Sequence, residues 1–136
     1  MMQDLQKEIV LDHYRRPRNR GELPGADLEE QLLNPLCGDE VTVYARVLGG
    51  RMTDVSFMGR GCAISQASAS MLTERLAGKS LVKAETEIEA FLEMMRTEEN
   101  GDLGELAALK AIITAPNRIR CATLAWTAFQ RGLEDQ

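Results

Sequence analysis

Three cysteines and one aspartate have the residue types and settings for metal or sulfur chemistry. Cys37 and Asp39 lie in the segment NPLCGDE, Cys62 in GRGCAIS and Cys121 in APNRIRCATLAW. Each cysteine stands beside residues typical of turns or helix starts, and none lies in the middle of an apolar stretch. Three thiolates and one carboxylate are enough to fill a tetrahedral metal shell. The pattern therefore predicts that the four side chains converge on one site.

The mixture of donors favours a reactive site over a purely structural one. Gly38 allows a tight turn, so Cys37 and Asp39 can point at one centre. Cysteines near helix N-termini favour the thiolate, the form that binds metal and attacks sulfur. A structural zinc site usually has Cys₄, Cys₃His or Cys₂His₂ ligands, and aspartate is harder than sulfur. Three thiolates and a carboxylate leave a zinc shell with net negative charge, which favours release of a ligand.

A structural interpretation of the same residues stays open at this point. Cysteine is among the most often buried residue types, so each thiol taken alone is compatible with core packing. Asp39 alone is compatible with a turn residue or a strand-start cap. The long interval between Cys62 and Cys121 has no local zinc-finger spacing. The shared turn settings of all three thiols favour the converging site.

Composition limits the class of protein. The chain has 136 residues, 44% of them hydrophobic, which predicts a single domain over 1–136 with its own core. The formal charge of −5 argues against nucleic acid as a partner. No apolar run approaches the roughly 20 residues that span a bilayer, so no membrane partner is expected. The odd number of cysteines argues against a disulfide framework and predicts a reducing, cytoplasmic location.

The elements that must position these residues follow from hydrophobic periodicity and turn signals. A helix is predicted at 3–16, ended by Pro17. Residues 17–36 are expected to form a mostly irregular connection. Strands are predicted at 40–48 and 51–58, joined by Gly49-Gly50, with a short third strand overlapping Gly59–Ala63. Further helices are predicted at 65–78, 84–97, 103–115 and 118–132.

These elements predict an α+β fold, in which an N-terminal helix precedes a small three-stranded antiparallel sheet and a run of C-terminal helices packs on one face. Gly78 and Asn100-Gly101 are predicted helix stops, and Thr114 or Ala115 followed by Pro116 marks the start of the last helix. Cys37 and Asp39 then lie on the loop entering the first strand. Cys62 lies at a strand-to-helix junction, and Cys121 in the first turns of the last helix.

Four segments together resemble the U-type iron–sulfur assembly proteins. They are NPxCGD before a strand, GxGCAISxAS at a strand-to-helix junction, PxRIxCAxLxW opening the last helix, and the N-terminal LDHYRRPRNRG. The resemblance runs from about Ile9 to Arg131. The IscU scaffold branch has a histidine immediately before the third cysteine, where this chain has Arg120. The single histidine here is His13. The interval between the second and third cysteines is also longer, within 84–110, and both departures resemble the SufU branch.

The resemblance to the SufU branch implies a zinc-dependent sulfurtransferase that accepts persulfide sulfur from a SufS-type cysteine desulfurase for iron–sulfur cluster assembly. A SufBCD-type scaffold is the implied downstream partner. Cys37 would be both sulfur acceptor and zinc ligand, and Asp39, Cys62 and Cys121 would hold the metal. Docking would exchange Cys37 for a ligand from the desulfurase. Arg120 would assist by steering or retaining the released thiolate, or else is a solvated helix residue.

Two other functions stay open. One is a scaffold on which an iron–sulfur cluster is assembled and transferred, with the cluster in place of zinc. The other is a binding module in which zinc is only structural. Arg120 in place of histidine favours a sulfurtransferase-like carrier over the scaffold. Asp39 as a ligand favours both the carrier and the scaffold over a binding module with structural zinc. The residues leave open whether such a carrier is an enzyme in the strict sense.

Overall fold

The computed structural model describes residues 2–35, 37–97, 103–113 and 116–135. The elements in chain order are helix α1 (Met2–Arg15), strands β1 (Leu28–Asn34), β2 (Asp39–Leu48) and β3 (Arg51–Arg60), helices α2 (Ala63–Leu76) and α3 (Leu81–Arg96), a short 3-10 helix (Gly104–Leu106), α4 (Ala107–Ile112) and α5 (Pro116–Glu134). The predicted α+β class is confirmed. Along the chain, an N-terminal helix is followed by a three-stranded antiparallel sheet and then by the later helices.

The sheet has the order β1-β2-β3, and both strand pairs are antiparallel. Asn34 lies opposite Asp39 at one end of the β1–β2 pair. Val43 lies opposite Phe57 in the middle of the β2–β3 pair, and both side chains are fully buried. Along β1 the more buried side chains alternate with exposed ones, whereas β2 and β3 each contain a run of three buried residues. At the sheet end that carries Asn34 and Asp39 lie the turn between β1 and β2 and the connection from β3 to α2.

The number of strands was predicted correctly, but the predicted position of the third strand, overlapping Gly59–Ala63, was wrong. The strand is β1, within the segment expected to be mostly irregular, and Gly59 is part of β3 instead of a separate strand. In β1 the sequence LEEQLLN has adjacent polar residues, which hide the period of two that marks a half-buried strand. Its burial pattern nevertheless alternates, and pairing with β2 supplies the order that local sequence does not.

Helices α2 and α5 form the layer that covers the sheet. Helix α2 packs on β3 and β2, and α5 packs on β1 and β2. Helix α1 packs on α2 and α4, and α3 packs on α5. The largest fully buried side chains lie between these layers: Trp126, Phe57, Phe91, Phe129, Leu28, Met52, Leu72, Leu76, Ile88 and Leu109. The predicted packing of helices on one face is confirmed.

A buried polar contact fixes α2 against α5. The Trp126 indole N–H donates to Ser68 Oγ at 2.9 Å, and the Ser68 hydroxyl donates to the carbonyl of Ala122. The Trp126 ring also stacks on Phe91 of α3, with ring centroids 4.1 Å apart. Buried indole and hydroxyl groups need such partners. Because Ala122 follows Cys121 directly, these contacts also set the position of the third cysteine.

Most helix boundaries lie close to their predicted positions. Helix α2 begins at Ala63, two residues before its predicted start. Helix α5 begins at Pro116, the residue predicted to mark its start, which is two residues before the predicted range of 118–132. The expected helix at 103–115 is a 3-10 helix followed by the short α4. The predicted stop at Asn100-Gly101 and the residues 114 and 115 lie outside the described residues. Within the described parts of the chain, no helix has the length and apolar character to cross a membrane.

Candidate metal centre

Three elements bring the predicted site residues to one end of the sheet. The β1–β2 hairpin carries Cys37, and Asp39 is the first residue of β2. Cys62 is the N-cap of α2, directly after β3. Cys121 lies near the N-terminal end of α5. The settings predicted for Cys62 and Cys121 are confirmed, and Cys37 lies in a tight hairpin because a strand precedes it.

The ligand atoms of Cys37, Asp39 and Cys121 all lie within 4.8 Å of one another. Cys62 joins this trio through Asp39, since its Sγ is 3.8 Å from the Asp39 Oδ2. Cys62 also interacts with Cys121. The structure therefore brings three of the four selected residues within 4.8 Å of one another and places Cys62 beside them, against Asp39. We call these four residues the cysteine–aspartate cluster.

The Asp39 carboxylate is held by the fold itself. Its side chain is almost fully buried, and its Oδ1 accepts a hydrogen bond of 2.8 Å from the Cys62 backbone N–H. That N–H belongs to the N-terminus of α2, where a carboxylate both caps the helix and meets the positive end of its dipole. Gly61 has a φ of 140°, and a methyl group added there would overlap the Asp39 carboxylate. Glycine at position 61 thus leaves the space that Asp39 occupies.

Asn34 is a residue of this site that sequence reasoning missed. Its side chain is 5% exposed, and its Nδ2 lies 3.8 Å from the Cys121 Sγ. Its carbonyl accepts a hydrogen bond of 3.2 Å from the Cys37 backbone N–H. The signal that could have identified it is the inward position of Asn34 at the end of β1. That position was invisible because β1 itself was not predicted.

The electrostatics of the cluster favour occupation by a cation. Burial raises the pKa of the Cys121 thiol well above its ordinary range, and hydrogen bonds to Asp39 and Cys37 and the nearby Cys62 raise it further. In the metal-free protein Cys121 is therefore a neutral thiol, so the expectation that a position near a helix start favours the thiolate was wrong for this residue, because burial outweighs the helix dipole. A bound divalent cation reverses this preference by stabilising thiolates and carboxylate together. Three sulfur donors and one carboxylate oxygen are a donor set that fits zinc.

Solvent access differs among the three thiols. Cys121 is buried, whereas Cys37 and Cys62 are half-buried. Cys37 also lies on a turn between the exposed Pro35 and Gly38, and Gly38 has a φ of 70°, which favours glycine. Arg120 is exposed on α5 beside Cys121. Of the three thiols, Cys37 therefore combines partial exposure with a place on a turn.

The single histidine belongs to a different cluster. His13 is 1% exposed, with Nδ1 2.8 Å from the Ser70 Oγ and Nε2 3.0 Å from the Glu105 Oε2. Glu74 lies 3.6 Å from the same Nε2. These contacts join α1 to α2 and to the 3-10 helix. Both ring nitrogens are thus engaged away from the cysteine–aspartate cluster, and the sequence has no second imidazole.

A three-stranded antiparallel sheet covered by helices on one face, with three cysteines and an aspartate near one end, defines a class of small α+β proteins with a thiol-rich candidate metal centre. Residues 5–135 match the family model described as the NifU-like N terminal domain. The chain belongs to this family. The predicted relationship to the iron–sulfur cluster assembly proteins of the IscU and SufU type is thereby confirmed.

Curated relatives have two kinds of name. The zinc-dependent sulfurtransferase SufU of Bacillus subtilis (strain 168) is 38% identical over 132 residues, which cover 95% of this chain and 89% of that protein. The iron–sulfur cluster assembly scaffold protein IscU of Streptococcus pyogenes serotype M1 is also 38% identical, over 129 residues that cover 93% and 80%. Overall identity therefore does not separate the sulfurtransferase from the scaffold.

A solved structure confirms the architecture. The crystal structure of a putative iron–sulfur cluster assembly scaffold protein for the SUF system from Fervidobacterium islandicum AW-1 superposes with a TM-score of 0.87. It is 32% identical, and the match covers 93% of this chain and 94% of that one. The family fold thus includes nearly the whole chain.

Proposed function

We propose that this protein is a zinc-dependent sulfurtransferase that accepts persulfide sulfur from a SufS-type cysteine desulfurase for iron–sulfur cluster assembly. The observation that carries the proposal is the unequal exposure within the cysteine–aspartate cluster. Asp39 and Cys121 are buried, whereas Cys37 and Cys62 are half-buried. Of these two half-buried thiols, Cys62 is the N-cap of α2 and Cys37 lies on the hairpin turn. A site that only stored a metal has no need of an accessible ligand on a hairpin turn.

In this proposal Cys37, Asp39, Cys62 and Cys121 hold the zinc. The metal keeps its thiol ligands deprotonated and adds no redox activity of its own. Asp39 is already fixed by the Cys62 backbone N–H, and Cys121 by its burial in α5. These two residues and Cys62, the N-cap of α2, supply the permanent part of the proposed shell, and Cys37 is the ligand that reacts.

The reaction is an exchange between a thiolate and a persulfide. The Cys37 thiolate attacks the outer sulfur of a cysteine persulfide on the desulfurase, and a new S–S bond forms. The original S–S bond breaks with its electron pair, so the desulfurase cysteine leaves as a thiolate and Cys37 carries the persulfide. No external oxidant or reductant is needed, and the rate depends on thiolate fraction and access. A SufBCD-type scaffold is the proposed next recipient.

Arg120 is the proposed second catalytic residue. It is adjacent in sequence to Cys121 and exposed on α5. A guanidinium is always cationic at neutral pH, so it can attract a thiolate or persulfide anion without accepting its proton. Its proposed role is to retain the Cys37 anion while the sulfur is transferred.

The second candidate function is a scaffold for iron–sulfur cluster assembly, in which the cluster is the cargo. The relative of the same identity that is named as a scaffold supports it. Against it stands the placement of His13, whose ring nitrogens contact Ser70 and Glu105. Position 120 holds arginine, and His13 is the single histidine of the sequence. Among the described residues, no histidine joins the group of Cys37, Asp39 and Cys121.

The proposal is tested by measuring the metal content of the purified protein and its effect on a SufS-type desulfurase supplied with cysteine. We expect about one tightly held zinc per chain and strong stimulation of turnover, which Cys37→Ala abolishes. Cys62→Ala is the companion variant, because it removes a metal ligand without removing the proposed acceptor. Stimulation that survives Cys37→Ala would overturn the carrier function. An iron-containing chromophore with no effect on turnover would favour the scaffold.

A separate variant distinguishes the same two functions. In the carrier, Asp39→Ala removes a zinc ligand and lowers both zinc affinity and activity. In the scaffold, the same change makes a bound cluster more persistent, because the harder oxygen ligand no longer weakens the shell. The lifetime of the cluster chromophore and the zinc affinity of the variant separate these outcomes.

A further inference from the structure

We propose that Asn34 is a positioning residue that fixes Cys121 as a permanent ligand of the metal centre, while the turn beginning at Asn34 leaves Cys37 able to react. This inference rests on the proposed function, since it concerns which thiol stays and which thiol departs. It assigns a role to a residue outside the four candidate ligands.

The side chain of Asn34 is placed by the sheet. Asn34 ends β1 and lies opposite Asp39 in the strand register, so its side chain points to the same covered face as the cluster. It is 5% exposed, and its Nδ2 is 3.8 Å from the Cys121 Sγ. A buried amide requires hydrogen-bond partners, and here a sulfur atom is one of them. The strand end therefore delivers an N–H donor to one particular thiol.

The donor matters because of the charge of the site. A metal-bound thiolate has no proton and can only accept hydrogen bonds, so the NH₂ end of the amide is the end that fits. Three thiolates and one carboxylate give a zinc shell with net negative charge. An N–H donor on Cys121 withdraws charge from that sulfur and holds its direction, as outer-shell partners do for other metal ligands.

The main chain of Asn34 has a separate function. Its carbonyl accepts the Cys37 backbone N–H at 3.2 Å, which closes the turn without engaging the Cys37 sulfur. The Cys62 backbone N–H in turn holds Asp39 at 2.8 Å. Directed N–H donors thus reach Cys121 and Asp39, the two buried members of the cluster. The half-buried Cys37 is tied through its backbone, which suits a ligand that must leave the metal.

The test compares Asn34→Ala and the nearly isosteric Asn34→Asp with wild type. Gln31→Ala is the matched control, because Gln31 is an exposed amide on the same strand whose Nε2 bonds Glu40. Zinc affinity is measured by competition with a chromophoric chelator. Cobalt(II) is substituted for zinc, and the energy of its sulfur-to-cobalt charge-transfer band is recorded. Far-UV circular dichroism establishes that each variant is folded.

We expect Asn34→Ala to weaken zinc binding about 10- to 100-fold, the usual effect of losing an outer-shell partner. Asn34→Asp is expected to weaken it further, because a carboxylate would face a thiolate. The cobalt band should shift in both variants and stay unchanged in Gln31→Ala. A purely structural role would lower stability without moving this band.

The outcomes also separate this inference from the function on which it rests. Tight zinc binding by wild type, with equal affinity and an unchanged cobalt band in both Asn34 variants, would overturn the role of Asn34 alone. A wild-type protein that binds no tight zinc would overturn the proposed function and this inference with it.

Discussion

Gly61→Ala is the substitution whose effect follows most directly from the geometry of the cluster. Gly61 lies between β3 and α2, and its φ of 140° is a conformation that residues with a side chain rarely adopt. A methyl group there would also overlap the Asp39 carboxylate, and would lie 2.8 Å from the Asp39 Cα. The variant should therefore lose both stability and metal affinity.

The expected magnitude has two parts. Forcing alanine into the unfavourable backbone conformation costs about 1–3 kcal/mol. Displacing Asp39 from the Cys62 backbone N–H removes a helix cap, which costs about 0.5–2 kcal/mol. Together these predict a loss of roughly 1.5–5 kcal/mol in the free energy of unfolding, a large share of the 5–15 kcal/mol typical of a domain. Zinc affinity should fall by at least about tenfold, since Asp39 is a proposed ligand.

Gly50→Ala is the matched control. Gly50 in the β2–β3 hairpin has a φ of 74°, and an added methyl group would meet open space. It carries the backbone cost alone and should leave zinc affinity unchanged. Urea unfolding of the metal-free proteins and chelator competition for zinc measure the two effects. Zinc affinity in Gly61→Ala equal to that of wild type would refute the placement of Asp39 in the metal shell.

Three further predictions concern the core, the thiols and the histidine. Ser68→Ala leaves the buried Trp126 N–H without its acceptor and should cost about 1–3 kcal/mol, measured by urea unfolding followed through the single tryptophan; an unchanged midpoint would contradict this. Because the pKa of Cys121 is raised in the folded protein, the unfolded chain loses that proton first, so metal-free stability should fall as pH rises above about 8.5. Zinc should remove this decline, and a metal-free protein equally stable at high pH would be inconsistent with it. His13→Gln should loosen the attachment of α1 by breaking a part-buried contact to Glu105, with zinc affinity unchanged; a large change in affinity would link the two clusters.

The settings of two thiols could be predicted because local signals mark them. The glycines and small residues around Cys62 predict a strand-to-helix junction, and Pro116 predicts the start of the helix that carries Cys121. Both predictions agree with the structure. Short-range rules suffice here, because a turn or helix start is determined by its own few residues.

The parts that were missed depend on long-range pairing. Strand β1 has adjacent polar residues and owes its conformation to β2. Without β1, neither the inward position of Asn34 nor the hairpin setting of Cys37 is apparent. The use of Asp39 to cap α2 was also unpredictable, since it joins residues that only the β2–β3 pairing brings together. Contacts between residues distant in sequence thus account for the missing details.

The central claim is that Cys37 is the thiol that receives sulfur. In the most direct measurement, the zinc-loaded protein is incubated with a SufS-type desulfurase and cysteine. Persulfides are then trapped by alkylation, and the position of the extra sulfur is mapped by peptide mass spectrometry. We predict the added sulfur on Cys37, with Cys62 and Cys121 unmodified while zinc is retained. Extra sulfur on Cys62 or Cys121, or no persulfide at all while turnover is stimulated, would contradict the account.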